Sequence, residues 1–171
     1  TCRIRGQKAA VRFKTIIEED LTNYRVPVMT IGTCFCGGKC CTEAGIPIST
    51  CINDAWRRQP IIDLPDSEII RRYLENPITD GICFGGLEPF EQFNEILAFI
   101  GAFRGDFHRL DTVILYTGYN QTEILSQIEQ LRKYPNIVVK FGRYLPGQTP
   151  HYDKVLGVKL ASDNQYAEKI S

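Results

Sequence analysis

Apolar and polar positions along the chain follow two periods in turn. Val11, Phe13, Thr15 and Ile17 alternate with polar neighbours, so 10–17 is expected to be an early, half-buried strand. Residues 26–33 (VPVMTIGT) form a second apolar, β-branched run that leads into a cysteine-rich loop. The period then lengthens: Ile69, Ile70, Tyr73 and Leu74 make one face of a helix predicted over 66–75, with Asp66 as N-cap, Glu68 in the first turn and Pro77 as its end. Residues 79–84 (TDGICF) read as a short buried strand. A helix is expected to start at Pro89, a favoured first helical position, because Phe90, Phe93, Ile96, Leu97, Ile100 and Phe103 recur at spacings of three and four. Strand 112–116, a helix over about 122–133 with Ile124, Leu125, Ile128 and Leu131 on one face, and strands at 137–141 and 155–160 complete the series. Residues 142–152, with two Pro and two Gly, read as a surface loop.

Alternation of strand and helix argues an α/β fold with a mostly parallel sheet and crossover helices. A chain of 171 residues suits one domain, residues 1–171, and is too short for eight such units. A partial barrel or an open α/β sheet is what remains. Twenty Lys+Arg balance twenty Asp+Glu, so neither a nucleic-acid arm nor an acidic tail is expected. No stretch approaches the roughly 18 apolar residues of a membrane helix, and no signal peptide opens the chain, so membrane and secreted readings fall away. Because the chain starts at Thr1, a missing initiator or short leader is compatible with it.

Seven cysteines change the picture. Five fall close together, at Cys34, Cys36, Cys40, Cys41 and Cys51. A disulfide framework would spread its bridges and belongs mainly to small secreted domains, whereas bunched thiols suit thiolates converging on a metal. The loop has no C-x2-C knuckle of the usual zinc kind; its spacings are Cys36-x3-Cys40 and a long reach to Cys51. Three thiolates around an iron–sulfur cluster would leave one iron open to a small molecule. Free or loosely zinc-bound cysteines are the plainer alternative. Cys83, within a buried strand, reads as a small hydrophobe, and Cys2 as incidental.

Gly85-Gly86-Leu87-Glu88-Pro89 lies between a strand and a helix. Two glycines admit a ligand close to the backbone, and carbonyls at a strand's C-terminal end accept from a cationic amine. The segment lacks the Lys-[ST] of a phosphate loop, and read alone it is as well explained as a tight connection.

Together, the strand, the cysteine loop and the glycine-glycine-acidic-Pro turn resemble the radical S-adenosylmethionine (SAM) superfamily. Cys51-Ile-Asn-Asp-Ala-Trp56 is similar to the C-x-N-x-x-W segment of glycyl-radical activating proteins. Tyr116-Thr-Gly-Tyr119 is similar to a motif of the anaerobic ribonucleotide reductase activating proteins, and Ser162-Asp-Asn164-Gln165, preceded by Gly142-Arg143-Tyr144, resembles their Ser-x-Asn-Gln ending. Departures are the ten-residue insertion CTEAGIPIST between the second and third cysteines, the extra Leu87, and the surplus Cys34 and Cys41.

The resemblance implies a partial (β/α) barrel of the small radical SAM type, with its cluster loop at 34–56, glycine motif at 85–89 and C-terminal strand and polar motif at 155–165. It implies a 4Fe-4S cluster on Cys36, Cys40 and Cys51, with Cys41 as the alternative to Cys40. SAM would be held by carbonyls around Gly85 and Gly86, with Glu88 as a further acceptor or only a helix cap, and with Tyr116, Ser162 and Asn164 around it. The activity implied is reductive cleavage of SAM to a 5′-deoxyadenosyl radical. The partners implied are a glycyl-radical enzyme resembling anaerobic ribonucleotide reductase and an electron donor such as flavodoxin or ferredoxin, in the cytoplasm, with neither nucleic acid nor membrane. A divergent radical SAM enzyme acting on a small molecule or peptide, and a non-catalytic zinc or iron–sulfur module, are the alternatives. Trp56 is expected to shield the cluster. Lys8, Arg12, Lys14, Arg57, Arg58 and Arg143 read as solvated, and His108 and His151 as loop residues without a catalytic role.

Overall fold

The computed structural model describes residues 10–171, so Cys2 and Lys8 lie outside it. In chain order the strands and helices are β1 (Arg12–Phe13), β2 (Thr15–Asp20), β3 (Val28–Gly32), α1 (Lys39–Ala44), α2 (Asp54–Arg57), β4 (Ile62–Asp63), α3 (Asp66–Glu75) and β5 (Gly81–Gly85). They continue as α4 (Phe93–Gly105), β6 (Thr112–Tyr116), α5 (Leu125–Leu131), β7 (Ile137–Phe141), β8 (His151–Asp153), β9 (Val158–Leu160) and β10 (Tyr166–Lys169).

Six strands make the central sheet, in the order β10-β7-β6-β5-β3-β2. The inner four are parallel to one another, and both edge strands run antiparallel to their neighbours. The edges do not pair, so the sheet is open and no closed barrel forms. From β3 to β7 every crossover steps one strand in the same direction. Crossovers of constant hand must then place α3, α4 and α5 on one face of the sheet. That face holds the larger core, in which Phe84, Phe99, Phe103, Ile100 and Leu131 are fully buried. Each such side chain contributes about 2 kcal/mol of transfer free energy. The opposite face holds a smaller core of Val28, Cys83, Ile114, Val138, Leu156 and Leu160.

That smaller core corrects one expectation. Residues 155–160 do not form a sixth sheet strand. Asp153 accepts the amides of Val155 and Leu156 at 2.9 and 2.8 Å, and Gly157, at φ 72°, reverses the chain. Val158–Leu160 therefore folds back on His151–Asp153 as a separate hairpin. His151, expected in a loop, stands on β8, and the strand that does join the sheet is β10, directly after the Ser162–Gln165 segment.

Smaller corrections have local causes. The first strand breaks at Lys14: β1 pairs with β4 and β2 with β3, and the phase slips so that Ile16, not Ile17, packs on the core. Helix α3 has the expected bounds, but Pro65 holds its N-cap position, and the Asp66 carboxylate accepts the amide of Val11 at 2.8 Å. Leu74 and Leu125, expected on buried faces, are exposed. Pro89 opens a 3-10 turn that passes into α4, and Glu88 caps it by accepting the Phe90 amide. Cys83 is buried, as expected.

Candidate functional site

The register of the parallel strands lines up Gly32, Gly85, Tyr116 and Lys140 in one row at their C-terminal ends. The loops that follow these strands carry the cysteine, glycine, Tyr116–Tyr119 and Gly142–Tyr144 islands, Ser162–Gln165 lies between β9 and β10, and hydrogen bonds stitch them together. Thr33 N–H donates to the Gly85 carbonyl at 2.9 Å, and its hydroxyl donates to the same oxygen at 3.1 Å. The Glu88 amide donates to Phe35 in the cysteine loop at 2.8 Å. The Glu88 carboxylate accepts the Thr117 hydroxyl at 2.8 Å and the Gly118 amide at 2.9 Å, which fastens the glycine motif to the Tyr116–Tyr119 turn. Gly142 N–H donates to Tyr119 at 3.1 Å, and Asn164 and Gln165 donate to the carbonyls of Arg143 and Gly142.

These contacts assign roles that the sequence left open. Glu88 is both cap and acceptor, and burial pushes its carboxyl up against the opposing pull of its three hydrogen bonds. Both hydrogen bonds of the Gly85 carbonyl go to Thr33, which leaves Gly86 as the carbonyl of the pair to consider for an amine. Tyr116 sits at its strand end with its hydroxyl donating to Asn23 at 2.5 Å, towards the smaller core. Ser162 accepts the amide of Leu145 at 3.3 Å, so the Ser162–Gln165 segment holds the chain that follows β7. Asn164 Oδ1 is buried without a partner in the described structure.

Trp56 lies across the glycine platform. A Cβ on Gly86, whose φ is 84°, would come within 2.1 Å of the indole, and one on Gly32 within 3.2 Å. The residue that ends the cysteine loop is thus packed on the backbone of the glycine motif. Arg57 ties the loop further by donating to the Cys36 carbonyl at 3.1 Å.

A cleft of about 180 Å³ opens between these loops, lined by Cys36, Lys39, Cys40, Glu88, Tyr119 and Arg143 among others. A larger, shallow depression around Glu18, Arg72 and Glu75 lies at the opposite end of β5 and contains no thiol. Cys36 and Cys40 share the cleft, and Cys40 Sγ stands 3.0 Å from where a Gly118 Cβ would be. Cys41 is not among the residues lining the cleft; its thiol lies near those of Cys51 and Cys36. Burial pushes the thiols of Cys40 and Cys41 up. Cys34 is buried beside Arg12 and Lys14, away from this group.

Among the described residues no three Cys, His, Asp or Glu side chains gather tightly enough for a single metal ion. Cys36 with Cys40 and Cys41 near it, and Cys51 beyond Cys41, are spread as the ligands of a multi-iron cluster can be, since its thiolates bind different irons.

Arg143 overturns the solvated reading. It is 6% exposed, pairs with Glu123 at 2.9 and 2.8 Å and reaches Glu43 at 3.1 Å. Lys39 joins the same Glu123 at 2.8 Å. Lys140, not singled out from the sequence, is buried near Cys40 and Glu88, and burial pulls its ammonium down to about 8. A lysine inside the apolar run IVVKF was the available signal.

Among the described residues no helix is long and apolar enough to cross a membrane. No curated protein and no solved structure matches the chain. A family model described as a 4Fe-4S single cluster domain matches residues 33–157, which take in the cysteine loop, the glycine motif and the Tyr116–Tyr119 turn. With nearly three quarters of its length matched, the chain belongs to the 4Fe-4S single cluster domain family.

Proposed function

We propose that this protein is a radical SAM enzyme whose product radical is passed to a glycyl-radical enzyme partner. The observation that carries this reading is the convergence described above: four islands spread along the chain meet at one sheet edge, around the cleft that holds Cys36 and Cys40. An open sheet with all crossover helices on one face supports placing it with the partial barrels of that superfamily.

Cys36, Cys40 and Cys51 are the residues to hold the cluster. When bound, the reduced cluster supplies the electron that cleaves the sulfonium of SAM to methionine and a 5′-deoxyadenosyl radical. The chain's own part is binding, orientation and exclusion of water. The Gly86 carbonyl offers an acceptor for the amino group. Glu88 holds the glycine turn against Thr117 and Gly118, and Trp56 keeps solvent from the glycine platform. Asn164, with its unpartnered oxygen, holds the carbonyl of the cleft residue Arg143, and the fully buried Ser162 holds Leu145 behind it. The electron donor proposed is a flavodoxin or ferredoxin, and the hydrogen donor a backbone glycine of an anaerobic ribonucleotide reductase-like partner.

Anaerobic reconstitution with iron and sulfide, followed by chromatography of the products, tests this. Reductant-dependent release of 5′-deoxyadenosine is expected. A protein that keeps its iron and forms none refutes the reading and leaves a non-catalytic cluster module.

A further inference from the structure

Gln92 sits on the 3-10 turn that passes into α4, only 4% exposed, and is not among the residues lining the cleft. We propose that it is a positioning residue for the iron–sulfur cluster: its carboxamide fixes the Cys34 amide, and through it the place that Cys36 takes in the cleft. The role rests on the reading of Cys36 as a cluster ligand.

The carboxamide can face only one way. Its Nε2 donates to the Arg12 carbonyl at 2.8 Å and to the Glu95 carboxylate at 2.7 Å, and neither acceptor has a hydrogen to give in return. Oε1 is therefore turned to the cysteine loop, where it accepts the Cys34 amide at 2.6 Å. Glu95 is itself pinned by Arg12, whose Nε donates to Oε1 at 2.8 Å and whose amide donates to Oε2 at 3.1 Å. One neutral side chain thus ties the start of the cysteine loop to β1 and to α4.

From Cys34 the constraint passes along two residues. The Phe35 carbonyl accepts the Glu88 amide at 2.8 Å, and the Arg12 guanidinium lies over the Phe35 ring, 4.9 Å from its centroid. Cys36 accepts Arg57 at its carbonyl, at 3.1 Å, and the Gly38 amide at its sulfur, at 3.3 Å. The sulfur is therefore set by the main chain on both sides of it. Without the Gln92 acceptor the buried Cys34 amide is left unpaired, a cost that is relieved by turning its peptide, and the turn carries Phe35 and Cys36 with it. Removing an outer partner that orients a ligand typically costs about 10–100-fold in metal affinity.

The test uses the full chain, reconstituted anaerobically with ferrous iron and sulfide. Gln92→Leu is close in size and removes the acceptor and both donors. It is expected to release iron to a ferrous chelator about 10-fold faster than wild type, and its reduced cluster to give an electron paramagnetic resonance spectrum with shifted g values. Phe103→Leu, a change in the larger core, controls for lost stability and is expected to keep wild-type release and spectrum. Gln92→Asn keeps the amide but shortens its reach; it is expected to fold where Gln92→Leu does not, and to move both readouts in the same direction. A wild-type rate and spectrum in the Gln92 variants, or equal changes in Phe103→Leu, overturn the positioning role. A wild type that takes up no iron overturns it together with the ligand role of Cys36. Proteins that show the expected differences and form no 5′-deoxyadenosine fail the proposed function alone and leave Gln92 in its role.

Discussion

Arg143 grips Glu123 at two points, with Nη1 donating to Oε2 at 2.9 Å and Nη2 to Oε1 at 2.8 Å, and the same carboxylate takes Lys39 at 2.8 Å. Lys39 opens α1, Glu123 ends the turn after β6 and Arg143 follows β7, so one carboxylate fastens the cysteine loop to two walls of the cleft. Two-point guanidinium–carboxylate pairs add geometric specificity to their energy.

Glu123→Gln is expected to destabilise the fold by about 2 kcal/mol at neutral pH, since it weakens charge-assisted bonds to a buried guanidinium. Its partners hold the Glu123 carboxyl down to about 2, chiefly through the Arg143 hydrogen bonds. A depressed carboxyl stabilises the folded state above its unfolded value and loses that effect as pH falls towards the folded one. The gap between wild type and Glu123→Gln is therefore expected to be constant above about pH 5 and to close between there and about pH 2. Thermal melts of both proteins across that range check it.

Gly86→Ala is expected to be costly for two separate reasons. The left-handed backbone at φ 84° disfavours a side chain, and its methyl would meet the Trp56 ring at 2.1 Å. A loss of about 3 kcal/mol is expected, read from the denaturant midpoint. Trp56 is the chain's single tryptophan, so a changed emission spectrum in the native variant would report displacement of this ring directly.

Glu88→Gln keeps the shape of the side chain but replaces an acceptor with a donor. One of the groups now served by the carboxylate, among the Thr117 hydroxyl and the amides of Gly118 and Phe90, would face an N–H. A cost of about 2 kcal/mol is expected, with Glu88→Ala costing more. Equilibrium unfolding of the two variants gives the order; equal costs would mean that the carboxylate does not fasten the two turns.

Alanine at Cys36, Cys40 or Cys51 is expected to abolish cluster assembly, measured as iron bound after anaerobic reconstitution. Cys83→Ala is expected to retain the iron and lose about 1 kcal/mol of stability, since Cys83 sits in the smaller core with its thiol pushed up by complete burial.

The parallel strands were legible because each is a short apolar run between turn signals, and α3 because its periodicity is strong. Misplaced elements had two kinds of cause. The hairpin at 151–160 turns on Asp153 accepting amides two and three residues on, a local signal masked by the apolar run that follows it, whereas β10 depends on pairing with β7, which no local pattern contains. In the site, the cysteines and glycines announced themselves by spacing. Arg143 did not: its burial is made by Glu43 and Glu123, which come from separate segments and look like ordinary surface charges in the sequence. Thr117 and Gly118 were noticed as part of a motif, yet their task, gripping Glu88, needed the strands to be aligned first.

The covering of both sheet faces has a last consequence. Helices shut one side, and the 151–160 hairpin with the loop around Tyr24 shuts the other, so among the described residues the cleft of Cys36 and Cys40 opens along the strand tips. Anything seated there has its outer flank bathed in bulk water. On the proposed function, the partner that supplies the hydrogen atom would also complete the exclusion of water by covering that flank.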